Sequence, residues 1–218
     1  MIPVLSAFYF GTIDHYRVLA KHPKVIIDLG EHYERQSYRN RTTVIGPNGT
    51  NDLVVPIARR SGEKMPMREV GLSYAETWPR QHLHAIRSAY GKTPWFIHFE
   101  DDLNDLLSKR YDRLVELDLA TMRLAMKWLG LGTELVLSET YVEVNGEWVG
   151  SDLARKTTNN QFVDLRTALH PKQPLPDPLL TPPTYTQVFA DRHGFIPGLS
   201  IIDLVCNCGR DARRVVLG

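Results

Sequence analysis

The sequence predicts an α/β fold, a mostly parallel sheet flanked by helices, with a hairpin and an irregular proline-rich C-terminal segment. Three features point there. Residues 4–10, 13–20 and 24–29 read in order as strand, helix and strand, the arrangement of a parallel pair joined by a crossover helix. A long helical stretch at 103–129 stops at Gly130 and Gly132 and leads into the apolar run ELVLS at 134–138. Seven prolines fall between 171 and 197, too dense for regular elements.

Each element has a local cause. Residues 4–10 are an apolar run that breaks at Gly11. Ile13 and Tyr16 share a helical face, and Pro23 ends that helix. KVIIDL at 24–29 is short, β-branched and closed by an acid and Gly30, as a buried strand should be. Residues 42–45 and 53–56 flank the turn cluster Gly46-Pro47-Asn48-Gly49, predicting a hairpin. Residues 59–68 form a polar loop, and 70–74 a short strand. Thr77 and Pro79 mark a helix start, with the helix running to about Ala89. Pro94 opens another helix over 95–101. From about 145 to 183 the chain is irregular, a lid or insertion within one domain spanning 1–218, with a short strand or turn expected in 160–169. Ser200 caps a last helix over 201–207, with Asp203 three residues on.

The composition is ordinary for a globular protein. The chain has 218 residues, 43% of them hydrophobic and 23% charged, so it buries a core without staples. A net charge of +1 gives no bulk field for DNA or an acidic membrane. No stretch reaches the ~18–20 apolar residues of a membrane helix, and the N-terminus lacks the basic and apolar regions of a signal peptide, so a cytoplasmic location is expected. Cys206 and Cys208 are too close for an easy disulfide and too few for a zinc site, and are read as reduced thiols.

The densest polar segment is EHYERQSYRNR at 31–41, directly after the KVIIDL strand. Loops at the carboxyl ends of strands in open α/β sheets converge on a crevice where ligands bind. If the segment is extended, Ser37, Arg39 and Arg41 share one face and Gln36, Tyr38 and Asn40 the other. The arginine pair would then grip a phosphate or carboxylate, and that face is the expected substrate side; a solvated surface loop with salt bridges is the other reading of the same composition. His32 is the candidate general base, and Gln36, Ser37 and Asn40 polarise a carbonyl.

Other constellations are weaker. His82 and His84 diverge by about 200° on a helix, which argues against a metal. Gly91-Lys92-Thr93 lacks the upstream glycine and strand of a phosphate loop, although Lys92 before a helix start suits an anion. Asp101, Asp102 and Asp105 complement a helix dipole. No GxSxG, CxxC, HExxH or GxGxxG is present, which lowers the prior on standard hydrolases, zinc proteases and dinucleotide oxidoreductases.

The segment around QSYRNR resembles the hallmark of the WbqC-like family. So do Tyr9-Phe10 with Tyr16, Tyr90-Gly91-Lys92-Thr93-Pro94-Trp95-Phe96, and Tyr185-Thr186-Gln187-Val188-Phe189 followed by Pro197-Gly198-Leu199-Ser200-Ile201-Ile202-Asp203-Leu204. The likeness runs in order from about residue 3 to 209. It implies a bacterial biosynthetic transferase forming an amide on an amine or amino sugar, in O-antigen or specialised-metabolite synthesis. The implied transfer is acyl or aminoacyl, glycyl included. It also implies site residues: His32, Ser37, Arg39 and Arg41 for catalysis, and Gln36, Tyr38, Asn40, Tyr9, Lys92, Tyr185, Gln187 and Ser200 for substrate. Val136 and Glu139-Thr140 depart from the tyrosine and glycine of the family pattern, and prolines at 171–183 lengthen the approach to Tyr185. No metal is expected. The resemblance does not fix the donor: ATP, or an activated donor such as a charged tRNA or carrier protein, is compatible with it. An ATP-dependent ligase or nucleotidyltransferase and a non-catalytic module that holds a biosynthetic intermediate are the rivals.

Overall fold

In a computed structural model the described residues are 1–58, 64–144, 162–176, 179 and 181–218. The centre is a four-stranded, all-parallel sheet flanked by helices. It contains β1 (Ile2–Leu5), β2 (Lys24–Asp28), β7 (Glu134–Ser138) and β8 (Phe162–Asp164), in the order β7-β2-β1-β8. Val4 lies opposite Ile26 in β2 and Asp164 in β8, and Asp28 lies opposite Ser138. Helix α1 (Ile13–Lys21) connects β1 to β2. Val4, Leu5, Val25 and Ile27 are fully buried, as central parallel strands covered on both faces require.

The hairpin forms as β3 (Arg41–Gly46) and β4 (Gly49–Val54), with Gly46 paired to Gly49 across the expected turn. A short ribbon pairs β5 (Ile57–Ala58) with β6 (Gly71–Leu72), so the strand expected at 70–74 shrinks to two residues. Helix α2 (Trp78–Tyr90) packs on the hairpin and on α3 (Glu100–Ser108).

Several expectations are corrected. The first strand ends at Leu5, and residues 6–12 leave the sheet as a loop. Phe10 there has φ 42°, a left-handed conformation for a bulky residue, and its backbone is fully engaged. Its N–H donates to Thr121 Oγ1 at 3.1 Å, and its carbonyl accepts the hydroxyls of Thr42 at 2.8 Å and Ser200 at 3.1 Å. The helix expected at 95–101 is a 3-10 turn, Phe96–His98, before α3. The single helix over 103–129 is two, α3 and α4 (Leu114–Leu129), parted at 109–113, where Glu116 Oε2 accepts the N–H groups of Asp112 and Arg113. Gly130 closes α4 with φ 63°. The C-terminus adds α5 (Ala190–His193), α6 (Ile201–Cys208) and α7 (Ala212–Leu217), and Ser200 caps α6 by accepting the Ile202 N–H. Much of the irregular stretch expected at 145–183 lies outside the described residues, but β8 falls within it. No helix among the described residues is long and apolar enough to cross a membrane.

Gly30 shows how tightly the strand ends are packed. A Cβ there would sit 2.1 Å from Tyr141 N and 2.3 Å from the Thr140 carbonyl carbon, both backbone atoms. Gly132 is exposed, with nothing within 4 Å of its Cβ position. Gly30→Ala is therefore expected to lower the urea midpoint by an amount equivalent to about 1–3 kcal/mol, while Gly132→Ala is neutral or stabilising. Equal midpoints for the two variants contradict this packing.

Candidate functional site

The carboxyl ends of β1, β2, β7 and β8 converge on a group of charges. Asp28 closes β2. Its Oδ1 accepts the N–H groups of Gly30 at 2.9 Å and Glu31 at 3.0 Å, which turns the chain out of the sheet. Its Oδ2 accepts Val142 N–H at 3.0 Å, from the segment after β7, and an Arg166 guanidinium N–H. Arg166, two residues past β8, is also gripped bidentately by Asp164 at 3.0 and 2.6 Å. Burial works against the Arg166 charge, but the Asp164 and Asp28 carboxylates outweigh it and hold the group protonated. The half-exposed Tyr141 ring covers the guanidinium at 4.4 Å.

The polar segment after β2 wraps the same edge. Its residues form turns rather than an extended strand, with Gln36 at φ 58°, so the expected two-face alternation is replaced by a compact loop. Arg39 points inward and is 2% exposed. It donates to Glu31 at 3.0 and 2.8 Å, to Glu34 at 3.2 Å and to Ser6 Oγ at 2.8 Å. Burial pushes the Glu31 carboxyl up and the Arg39 guanidinium pulls it back; the two contacts make it an ion pair. Arg41 begins β3 and reaches Asp52 on β4 at 3.5 Å. The two arginines are thus taken by separate acids and do not form a common anion grip.

The other predicted residues divide into groups. Ser37 Oγ donates to the Glu34 carbonyl at 2.7 Å, and Asn40 Nδ2 to the Val55 carbonyl at 2.9 Å, so both brace the loop. Gln36 is exposed and accepts from Lys172 Nζ. His32 is exposed, its backbone bridged to Pro66. Lys92 is exposed at the end of α2, and Tyr38 is half-buried with its ring edge-on to Phe8. Tyr9 is buried, its hydroxyl 2.9 Å from His82 Nδ1. Tyr185 and Gln187 belong to a second cluster: Tyr185 donates to Asp203 Oδ2 at 2.5 Å and accepts from Gln187 Nε2 at 2.9 Å. Ser200 supports the Phe10 loop.

Several residues at the edge carry no expectation from sequence. His170 Nε2 lies 3.8 Å from Glu34 Oε1, while its Nδ1 accepts the Lys172 N–H at 3.1 Å. That bond places the proton of a neutral ring on Nε2, facing Glu34. Asp118 on α4 is fully buried, and neither carboxylate oxygen has a hydrogen-bond partner among the described residues. Burial drives its carboxyl well above the usual range, Glu31 adds to this and Arg39 opposes it, so Asp118 is neutral. Burial likewise keeps His15 neutral, helped by the Arg39 charge. No cluster among the described residues has metal-ligand character.

A family model described as the WbqC-like protein family matches residues 8–173. An uncharacterised protein of Mycobacterium tuberculosis, Rv1507c, is 21% identical, over 97% of this chain and 95% of its own length. No solved structure matches significantly.

Asp203 yields a stability prediction. Burial raises its carboxyl from 3.8 to about 6, against the hydrogen bonds from Tyr185, Tyr90 and Asn207. The folded state keeps this proton to about pH 6, whereas the unfolded chain releases it near 3.8. The contribution is complete below pH 3.8 and is lost as pH rises through 6, by about 3 kcal/mol at about 1.4 kcal/mol per pKa unit. Relative to the parent protein, Asp203→Asn should gain about that much between about pH 4 and pH 7 in urea titrations. A difference independent of pH removes Asp203 as the titrating group.

Proposed function

Because the chain belongs to the WbqC-like protein family, we propose that it is a biosynthetic transferase that forms an amide on a small amine, by acyl or aminoacyl transfer, in polysaccharide or specialised-metabolite synthesis. The supporting observation is a surplus of carboxylates at the sheet edge. Four of them, Asp28, Glu31, Glu34 and Asp164, stand against two guanidiniums, Arg39 and Arg166, and the Lys172 ammonium on Gln36. Of these acids Glu34 faces solvent, with its side chain 45% exposed. An ammonium group meets a favourable field beside Glu34.

The chemistry then divides among the surface groups. Glu34 attracts the amine as its ammonium, which gives one proton to solvent to free the nitrogen lone pair. Glu34, with the Nε2–H of His170 beside it, then takes the second proton, released as the nitrogen attacks the donor carbonyl. The C–N bond forms, the carbonyl–leaving-group bond breaks, and the proton passes to the leaving group. Gln36 and Lys172, joined at the same mouth, suit the carbonyl or an anionic part of the donor. His32, exposed on this loop, is a second base. Arg39 acts through Glu34 as a positioning residue, since four of its N–H contacts are spent on protein. The donor is an activated acyl or aminoacyl group, on a charged tRNA or a carrier protein, or formed in place from ATP.

The test is mass spectrometry of primary amines and amino sugars incubated with activated donors, with and without ATP. Glu34→Gln should lower amide formation by about 10²–10⁴-fold with an unchanged melting temperature, and His170→Ala should also impair it. Parent-level rates in both variants remove this pair from the mechanism. Release of AMP or pyrophosphate favours a ligase. Stabilisation by amines with no product from any donor favours a binding module.

A further inference from the structure

A cleft of about 830 Å³ lies between α2 and α3, away from the carboxylate edge and sharing none of its residues. Its size is that of a small-molecule site, commonly about 300–1,000 Å³. Leu83 and Leu107 form an apolar floor, and Tyr74 one wall. That wall is fixed before any ligand arrives. The Tyr74 hydroxyl donates to the Tyr111 carbonyl at 3.2 Å and accepts the Tyr111 N–H at 2.9 Å, and the Trp78 ring lies 5.7 Å from the Tyr74 ring.

The rim carries Arg80, Lys109 and Arg110, all exposed, against Glu76 and Asp105. Arg110 lies over the Tyr74 ring at 4.5 Å. The side chains of Arg80 and Lys109 make no hydrogen bond or ion pair among the described residues. Arg80 is also in an unfavourable place. It occupies the first turn of α2, a 13-residue helix with no acid in that turn and no side-chain cap from Thr77. The helix dipole favours an anion there, and the chain supplies a cation instead. An external anion relieves both charges.

We propose that this cleft binds a small molecule carrying a phosphate or carboxylate on an apolar or aromatic body. Arg80, Lys109 and Arg110 hold the anion, and the body lies on Leu83, Leu107 and Tyr74. The site stands independently of the amine chemistry at the sheet edge.

Isothermal titration of the full chain with phenyl phosphate, benzoate, inorganic phosphate and phenol tests it. At least one aromatic anion should bind the parent protein about tenfold or more tightly than inorganic phosphate and phenol, and added salt should weaken it. Phenyl phosphate ahead of benzoate assigns a phosphate ligand, and the reverse order a carboxylate. Arg80→Ala/Lys109→Ala, whose exposed positions leave the core untouched, should cost about tenfold or more in affinity with an unchanged circular-dichroism spectrum. The proposal fails if neither aromatic anion binds, if the double variant binds as the parent does, or if inorganic phosphate or phenol binds as well as the tighter of the two aromatic anions.

Discussion

The structure depends on Asp28. This one buried carboxylate ends β2, turns the following loop through two backbone N–H groups, anchors the segment after β7, and receives Arg166 from beyond β8. Since β1 lies between β2 and β8, the Arg166–Asp28 contact spans the carboxyl end of the central strand. Three exits are thereby fixed to one side chain. A buried ion pair of this sort is a weak source of net stability, because desolvation offsets the attraction. Its value lies in geometry: removing one partner leaves the other charge stranded, so the loops hold together or not at all.

The same logic explains how so many acids share one edge. Arg39 and Arg166 each neutralise neighbouring carboxylates, and Asp118, fully buried beside this network, stays neutral because burial outweighs the pull of Arg39. His15 is also uncharged. The buried network thus sets three carboxylates against two guanidiniums, and a further acid, Glu34, stands at its surface. Arg39 therefore sets the position of the exposed acid.

Much of this was readable in the sequence. The α/β class and its parallel sheet follow from strand–helix–strand order and from ELVLS after the glycines. The polar run after KVIIDL identified the loop that wraps the strand ends. Its internal arrangement was not readable, because alternation holds only for extended chain and the loop turns at Gln36. His170 and Lys172 were missed because they meet Glu34 and Gln36 across more than 130 residues, a proximity that no local spacing encodes. The division of 103–129 depends on the Glu116 side chain capturing two backbone N–H groups at its start. Asp118 did leave a signal: it lies four residues from both Leu114 and Met122, on the apolar face of its helix, where a carboxylate has no ordinary place.

The clamp on the Phe10 loop joins parts of the chain that are made far apart. Strand β1 is made before the strands that flank it, its neighbour β8 follows some 160 residues later, and the Ser200 hydroxyl that seals its exit comes 190 residues after Phe10. Closure over such separations is slow in the entropic sense, and β1 has one edge unpaired until β8 is made. A molecule stopped short of α6 therefore has the loop that carries Arg39 but lacks the hydroxyl that clamps the neighbouring Phe10 loop.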